Sequence, residues 1–118
     1  MAKRILIAED DPGSREIITL YAINKGYEVV VVTDGHDLLA AYADEQFDLI
    51  VSDLMMPHLN GASATEIIKM QGSAVPVIAI TALSKDDIHL VKDKFTKIFH
   101  KPCDYKELFD YVESLIGR

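Results

Sequence analysis

The sequence predicts an α/β fold, a doubly wound five-stranded parallel sheet with five helices distributed over both faces. Three observations carry that expectation. Short runs rich in Ile, Val and Leu alternate with longer segments of helical period along the whole chain. Several short runs are apolar at successive positions, as strands covered on both faces must be. Cap and turn residues punctuate each change of period, and right-handed crossovers leave few ways to connect such elements.

The elements follow in order. Arg4–Ala8 reads as a buried strand ending in Glu9-Asp10-Asp11-Pro12, where Asp11 fits a helix cap and Pro12 the first helical position. Ile17, Leu20 and Tyr21 give the helical stripe, and Gly26 fits the stop. Glu28–Val32 is a second strand, followed by a helix over about 35–45 with Asp34 as cap. Residues 48–52 form a third strand, and Ser63-Ala64-Thr65-Glu66 has capping-box spacing for the next helix. Residues 75–80 form a fourth strand, with Pro76 tolerated near its beginning. Ser84 to Asp87 opens a helix through about Asp93, Lys97–His100 is a fifth strand, and Asp104 caps a last helix carrying Tyr105, Leu108, Phe109, Val112, Leu115 and Ile116.

Composition narrows the function classes. A chain of 118 residues fits one domain, 1–118, and 49% hydrophobic with 26% charged residues is ordinary for a globular protein. The net charge of −7 and the lack of a dense Lys/Arg run argue against direct nucleic-acid binding. Cys103 is the only cysteine, which excludes an intrachain disulfide and a cysteine-built zinc site and fits a reducing cytoplasm. The apolar run behind Met1 is too short for a signal-peptide core or a membrane span, so a cytoplasmic protein is expected. Met1 favours a free-standing protein over a module of a larger regulator or hybrid kinase.

In open parallel sheets, ligands bind beyond the carboxyl ends of the strands. There the sequence sets Glu9, Asp10 and Asp11 after strand one, Asp53 after strand three, Thr81 after strand four and Lys101-Pro102 after strand five. With strands one and three adjacent, several carboxylates converge, and such a cluster needs a cation to neutralise it. Oxygen-only donors suit Mg²⁺. A carboxylate, a magnesium ion, a lysine and a hydroxyl around one space are what a transferring phosphoryl group requires. Taken singly, the same residues have blander readings: Asp10 and Asp11 as helix caps, Asp53 as a turn residue, Thr81 and Lys101 as structural or solvated groups. The combination carries the weight.

These residues resemble the response-regulator receiver family. The carriers are Ile5-Leu6-Ile7-Ala8-Glu9-Asp10-Asp11, Asp48-Leu49-Ile50-Val51-Ser52-Asp53-Leu54-Met55-Met56-Pro57 with Asn60-Gly61, Thr81-Ala82 and Lys101-Pro102, in that order across the whole chain. The resemblance implies strand order 2-1-3-4-5 and a two-component or phosphorelay switch that is not a turnover enzyme. It implies that Asp53 accepts a phosphoryl group from a phosphohistidine on a histidine kinase or phosphotransfer protein. It also implies that Asp10, Asp53 and the Met55 backbone carbonyl bind Mg²⁺ (or Mn²⁺) directly, with Glu9 acting through a water. Lys101 would pair with Asp53 and then with a phosphoryl oxygen, Thr81 would swing toward the phosphoryl group, and the Lys101-Pro102 peptide would be cis. Pro57 and Gly61 would shape the loop beneath the site. A downstream partner would meet helix four, strand five and helix five, roughly 84–116.

The sequence departs from the family pattern near strand five. Ile98 stands where receivers commonly carry an aromatic residue, and adjacent Phe99 faces the other way, so an aromatic rotamer switch is not expected. Met55 and Leu83 occupy positions that influence hydrolysis in the family, and both are apolar, which implies a long-lived acyl phosphate. Two rivals fit less well. An aspartate-nucleophile phosphatase wants an acid where Met55 stands, and a flavodoxin-like carrier wants a phosphate-binding loop after strand one. His36, His58, His89 and His100 lack metal-ligand spacing, and Cys103 reads as a packing residue.

Overall fold

The computed structural model describes residues 2–56, 59–89 and 91–118, with the side chains of Lys85 and Asp86 outside the description. Pro57 and His58 therefore lie outside the described residues. The strands are β1 (Arg4–Ala8), β2 (Glu28–Val32), β3 (Leu49–Asp53), β4 (Val77–Thr81) and β5 (Lys97–His100). The helices are α1 (Pro12–Asn24), α2 (Gly35–Asp44), α3 (Gly61–Met70), α4 (Lys85–Ile88) and α5 (Tyr105–Ile116). All strand pairs are parallel and the order is β2-β1-β3-β4-β5, as the resemblance implied.

Alternation along each strand divides the core in two. Ile5, Ile7, Leu49, Val51, Ile78 and Ile80 pack with Ile18 of α1 and Leu108, Phe109 and Val112 of α5. Leu6, Ala8, Ile50, Val77 and Ala79 face the other way, onto Leu38 of α2 and Ala64 and Ile68 of α3. The period of two in a strand sends neighbours to opposite faces, so an unbroken apolar run feeds both cores. β1, β3 and β4 lie inside the sheet, and the whole of β3 and β4 is buried.

The caps explain most boundaries. Asp11, Asp34 and Asp104 each accept hydrogen bonds from backbone N–H groups in the first turn of α1, α2 and α5, as expected. Ser84 Oγ accepts the Asp87 N–H at 3.3 Å, the forward half of the expected capping box, while the Asp87 carboxylate accepts the Ser84 hydroxyl at 3.0 Å.

Four expectations are corrected. α3 begins at Gly61, and its cap is Asn60, whose Oδ1 accepts from Ser63 N–H at 2.8 Å; Ser63 itself is not the cap. β3 and β4 each run one residue further, taking in Asp53 and Thr81, because ladder pairing depends on backbone groups and ignores side-chain polarity. The α1 stripe is misassigned: Ile18 and Ala22 are buried, whereas Ile17 is 44% and Leu20 53% exposed. The fourth helix is one α turn and does not reach Asp93. After Ile88 the described bonds run i to i+3, Val91 to Ile88 and Lys94 to Val91, and this tighter winding delivers Phe95 into the core. Among the described residues, then, four helices of ten to thirteen residues cover the sheet, not five.

α3 abuts the end of β3 only because Gly61 lacks a side chain. A Cβ there would lie 2.3 Å from the Asp53 carbonyl oxygen and 2.7 Å from Ser52 Oγ. We expect Gly61→Ala to lower stability in urea unfolding by about 1–3 kcal/mol, the usual cost of overpacking a tight contact. An unchanged midpoint would show that α3 shifts freely away from β3.

Candidate functional site

The carboxyl ends of β1, β3, β4 and β5 meet at one rim of the sheet. β1 and β3 are direct neighbours, with Ala8 opposite Ser52, so Glu9 and Asp53 emerge side by side. Glu9 is buried and its N–H is held by the Val32 carbonyl at 3.0 Å, while Asp10 beside it is exposed. Carboxylate oxygens of Glu9, Asp10 and Asp53 lie within 4.8 Å of one another. The acids expected to converge do converge, apart from Asp11, which is occupied as the α1 cap.

Lys101 crosses to this cluster from the far side of the sheet. Its Nζ donates to Asp53 Oδ2 at 2.7 Å and to Glu9 Oε1 at 2.6 Å. Its N–H is tied to the Thr81 carbonyl at 2.7 Å, and the Lys101-Pro102 peptide is cis. Asp53 is only 4% exposed, and its Oδ1 accepts the Met55 N–H at 2.9 Å. Both oxygens of the carboxylate are thus held, each keeping a further lone pair. Thr81 is buried, and its Oγ1 accepts the Leu83 N–H at 3.0 Å, which leaves the hydroxyl proton to donate.

Among the described residues three carboxylates gather beside one ammonium, and the protonation balance reflects it. Burial pushes the Glu9 carboxyl up to about 7; Asp53 beside it adds to the rise and Lys101 opposes it. Burial alone would push the Lys101 ammonium down, but Asp53 and Glu9 outweigh it and hold Lys101 above the ordinary lysine value. Burial likewise pushes the Cys103 thiol up to about 11, in keeping with a packing role. The cluster is a set of hard oxygen donors with excess negative charge, and such donors fit a small divalent cation.

Some contributors escaped the sequence reading. Ser52 is buried and its Oγ donates to the Asp53 carbonyl at 2.9 Å; the only hint was a hydroxyl in an otherwise aliphatic run. Arg15 on α1 reaches the Glu9 and Asp10 carbonyls, 3.5 Å each, and nothing local marked it. Ile98 packs on the α3 side of the sheet, whereas Phe99 packs toward α5 with its ring 6.1 Å from that of Tyr111.

A parallel sheet with this rim defines an α/β protein equipped to handle a phosphoryl group beside a hard cation. Residues 5–113 match the response regulator receiver domain, and the chain belongs to that family. It is 34% identical over 121 residues to the DNA-binding response regulator MtrA of Mycolicibacterium smegmatis, covering 100% of this chain and 52% of MtrA. It is 32% identical over 123 residues to the transcriptional regulatory protein PcoR of Escherichia coli, covering 98% of this chain and 52% of PcoR. The chain spans about half the length of these curated relatives. Among solved structures, the receiver domain of Francisella response regulator 1452 superposes with a TM-score of 0.90 at 31% identity, covering 98% of each chain. The receiver domain of a sensor histidine kinase from Pseudomonas aeruginosa PAO1 does so with 0.89 at 29% identity over 100% of both chains, and that structure holds a magnesium ion in its active-site cleft.

The raised Glu9 value has a signed consequence for stability. Between the ordinary 4.5 and about 7, folded Glu9 holds a proton that the unfolded chain has released, so raising the pH favours unfolding. Without divalent cations, the stability of wild type relative to Glu9→Gln is expected to fall as the pH rises through that window. A flat difference in urea midpoints would show that Glu9 is ionised throughout.

Proposed function

We propose that the chain, as one unit over 1–118, is the phosphoacceptor switch of a two-component or phosphorelay system, with Asp53 as the acceptor. One observation carries the assignment: Lys101 Nζ bridges Asp53 and Glu9 while three carboxylates from two adjacent strands share one rim. The donor is a phosphohistidine on a histidine kinase or phosphotransfer protein. An Asp53 oxygen forms the new O–P bond as the donor's P–N bond breaks; the released electron pair returns to the imidazole, which takes up a proton. The two hydrogen bonds on Asp53 orient it for in-line attack, and orientation is a large part of what such a site contributes.

Asp10, Asp53 and the Met55 carbonyl would hold Mg²⁺ or Mn²⁺ directly, with Glu9 acting through a water. Bound there, the cation supplies positive charge for the phosphoryl oxygens. Lys101 then pairs with one phosphoryl oxygen, and the Thr81 hydroxyl donates to another. Turning the Thr81 hydroxyl toward that oxygen re-aims the atom that accepts the Leu83 N–H, which couples the loop after β4 to the chemistry. The phosphoryl group shifts the population toward the loop arrangement it binds better, and the face of α4, β5 and α5 is the surface a downstream partner reads.

The switch acts once per phosphorylation, without independent substrate turnover, and in the cytoplasm. Among the described residues no helix is long and apolar enough to cross a membrane. MtrA is named as DNA-binding; for the present chain, with net charge −7, direct nucleic-acid contact forms no part of the proposal.

Acetyl phosphate with Mg²⁺ is expected to add one phosphoryl group, read by intact mass, and Asp53→Asn to take none. Equal uptake by that variant would move the acceptor elsewhere. Lys101→Met should slow uptake about a hundredfold, the scale for losing one fixed donor to developing charge. Met55 is 56% exposed and apolar beside Asp53, so it cannot orient an attacking water. Met55→Asn should therefore hasten phosphate loss; an unaltered lifetime would exclude Met55 from its control.

A further inference from the structure

An apolar groove of about 570 Å³ opens beside the site, lined by Met55, Met56, Leu83 and Val91 with Asn60 and Asp87 at polar positions. Its two walls are hydrogen-bonded to the two groups that change on phosphorylation. The Met55 N–H holds Asp53 Oδ1 at 2.9 Å, and the Leu83 N–H holds Thr81 Oγ1 at 3.0 Å. When the Thr81 hydroxyl turns to a phosphoryl oxygen, the atom that Leu83 N–H is bonded to moves, and that wall is re-aimed with it. The shape of the groove is therefore tied to the state of Asp53.

We propose that this groove takes an amphipathic helical segment of a partner protein, with aliphatic side chains seated against Met55, Met56 and Leu83 and a basic side chain at Asp87. The groove lies between the start of α3 and α4, sharing Asp87 of α4 with the output face but using none of β5 or α5, and its coupling to phosphorylation rests on the phosphoacceptor reading above. Three features select this occupant. The groove is open along one side, and a helix laid in it brings its own lid of backbone and side chains. Unbranched methionines adapt to varied aliphatic shapes, as peptide-binding surfaces require. Asp87 is the one ionisable group among the described lining residues, and its carboxylate favours a Lys or Arg beside the aliphatic anchors. By reciprocity, whatever phosphorylation does to the segment's affinity, the segment does to phosphorylation.

The test uses the full chain with methyl-labelled methionine and a capped helical peptide bearing leucines one turn apart and an arginine on the next turn. Peptide should shift the Met55 and Met56 methyl signals and leave Met70, 80% exposed on α3, unmoved. Leu83→Gln and Asp87→Asn should each weaken binding by about tenfold. Beryllium fluoride with Mg²⁺ should change the affinity about fivefold or more. The proposal is overturned if Met55 and Met56 do not respond, if Met70 responds equally, or if Asp87→Asn binds as well as wild type. It is also overturned if affinity is the same in both states. Should beryllium fluoride leave the Asp53 and Thr81 amide signals in place, the phosphoacceptor reading fails instead. Thr81→Val, which removes the Leu83 acceptor without any phosphoryl group, then decides the coupling: its affinity must differ from wild type.

Discussion

The structure turns on the confinement of like charges. Glu9, Asp10 and Asp53 are carried to one rim by two neighbouring parallel strands, and the Lys101 ammonium pairs with Glu9 and Asp53. Carboxylates withdrawn from water repel one another strongly, and a fold tolerates them only with compensating charge and hydrogen bonds. Lys101 meets part of that requirement. The remainder is an excess of negative charge, which suits the cluster to a small divalent cation.

The scaffold around that cluster is stiff where the chemistry needs position. β1, β3 and β4 are buried through their apolar runs, and their register sets Asp53 opposite Ile80 and Thr81 opposite His100. Gly61 allows α3 to approach the end of β3 at a distance no side chain would permit. The loop after β4 is held differently. Among the described residues its side-chain link to the site is the hydrogen bond from the Leu83 N–H to the Thr81 hydroxyl, and behind it stands a single α turn. A short, weakly nucleated element responds to a small change in charge where a long helix would resist it.

The exposed apolar residues of α1 belong to the same picture. Ile17, Leu20 and Ile23 lie outside the core, which takes Ile18 and Ala22 instead. Helical period alone reports that a stripe exists; the crossing of α1 over β1 and β2 determines which stripe is buried. The same limit applies to α3, where capping-box spacing at Ser63 competed with Asn60, and the close approach at Gly61 placed the helix start earlier.

Much of the protein was legible in its residues. The apolar runs specify strands, since burying them on both faces is the only way to keep them from water, and Asp caps mark where three of the helices begin. The identities of Glu9, Asp10, Asp53, Thr81 and Lys101 at strand ends were likewise visible, because a parallel sheet collects those ends at one rim. Only the tertiary structure decided how they meet: that Lys101 bridges two carboxylates, that Ser52 and Arg15 brace the backbone beneath them, and that Leu83 is bonded to Thr81. These are contacts between residues far apart in the chain, or choices among neighbouring backbone partners. Local periodicity carries no information on them, since each is settled by register and packing across the sheet.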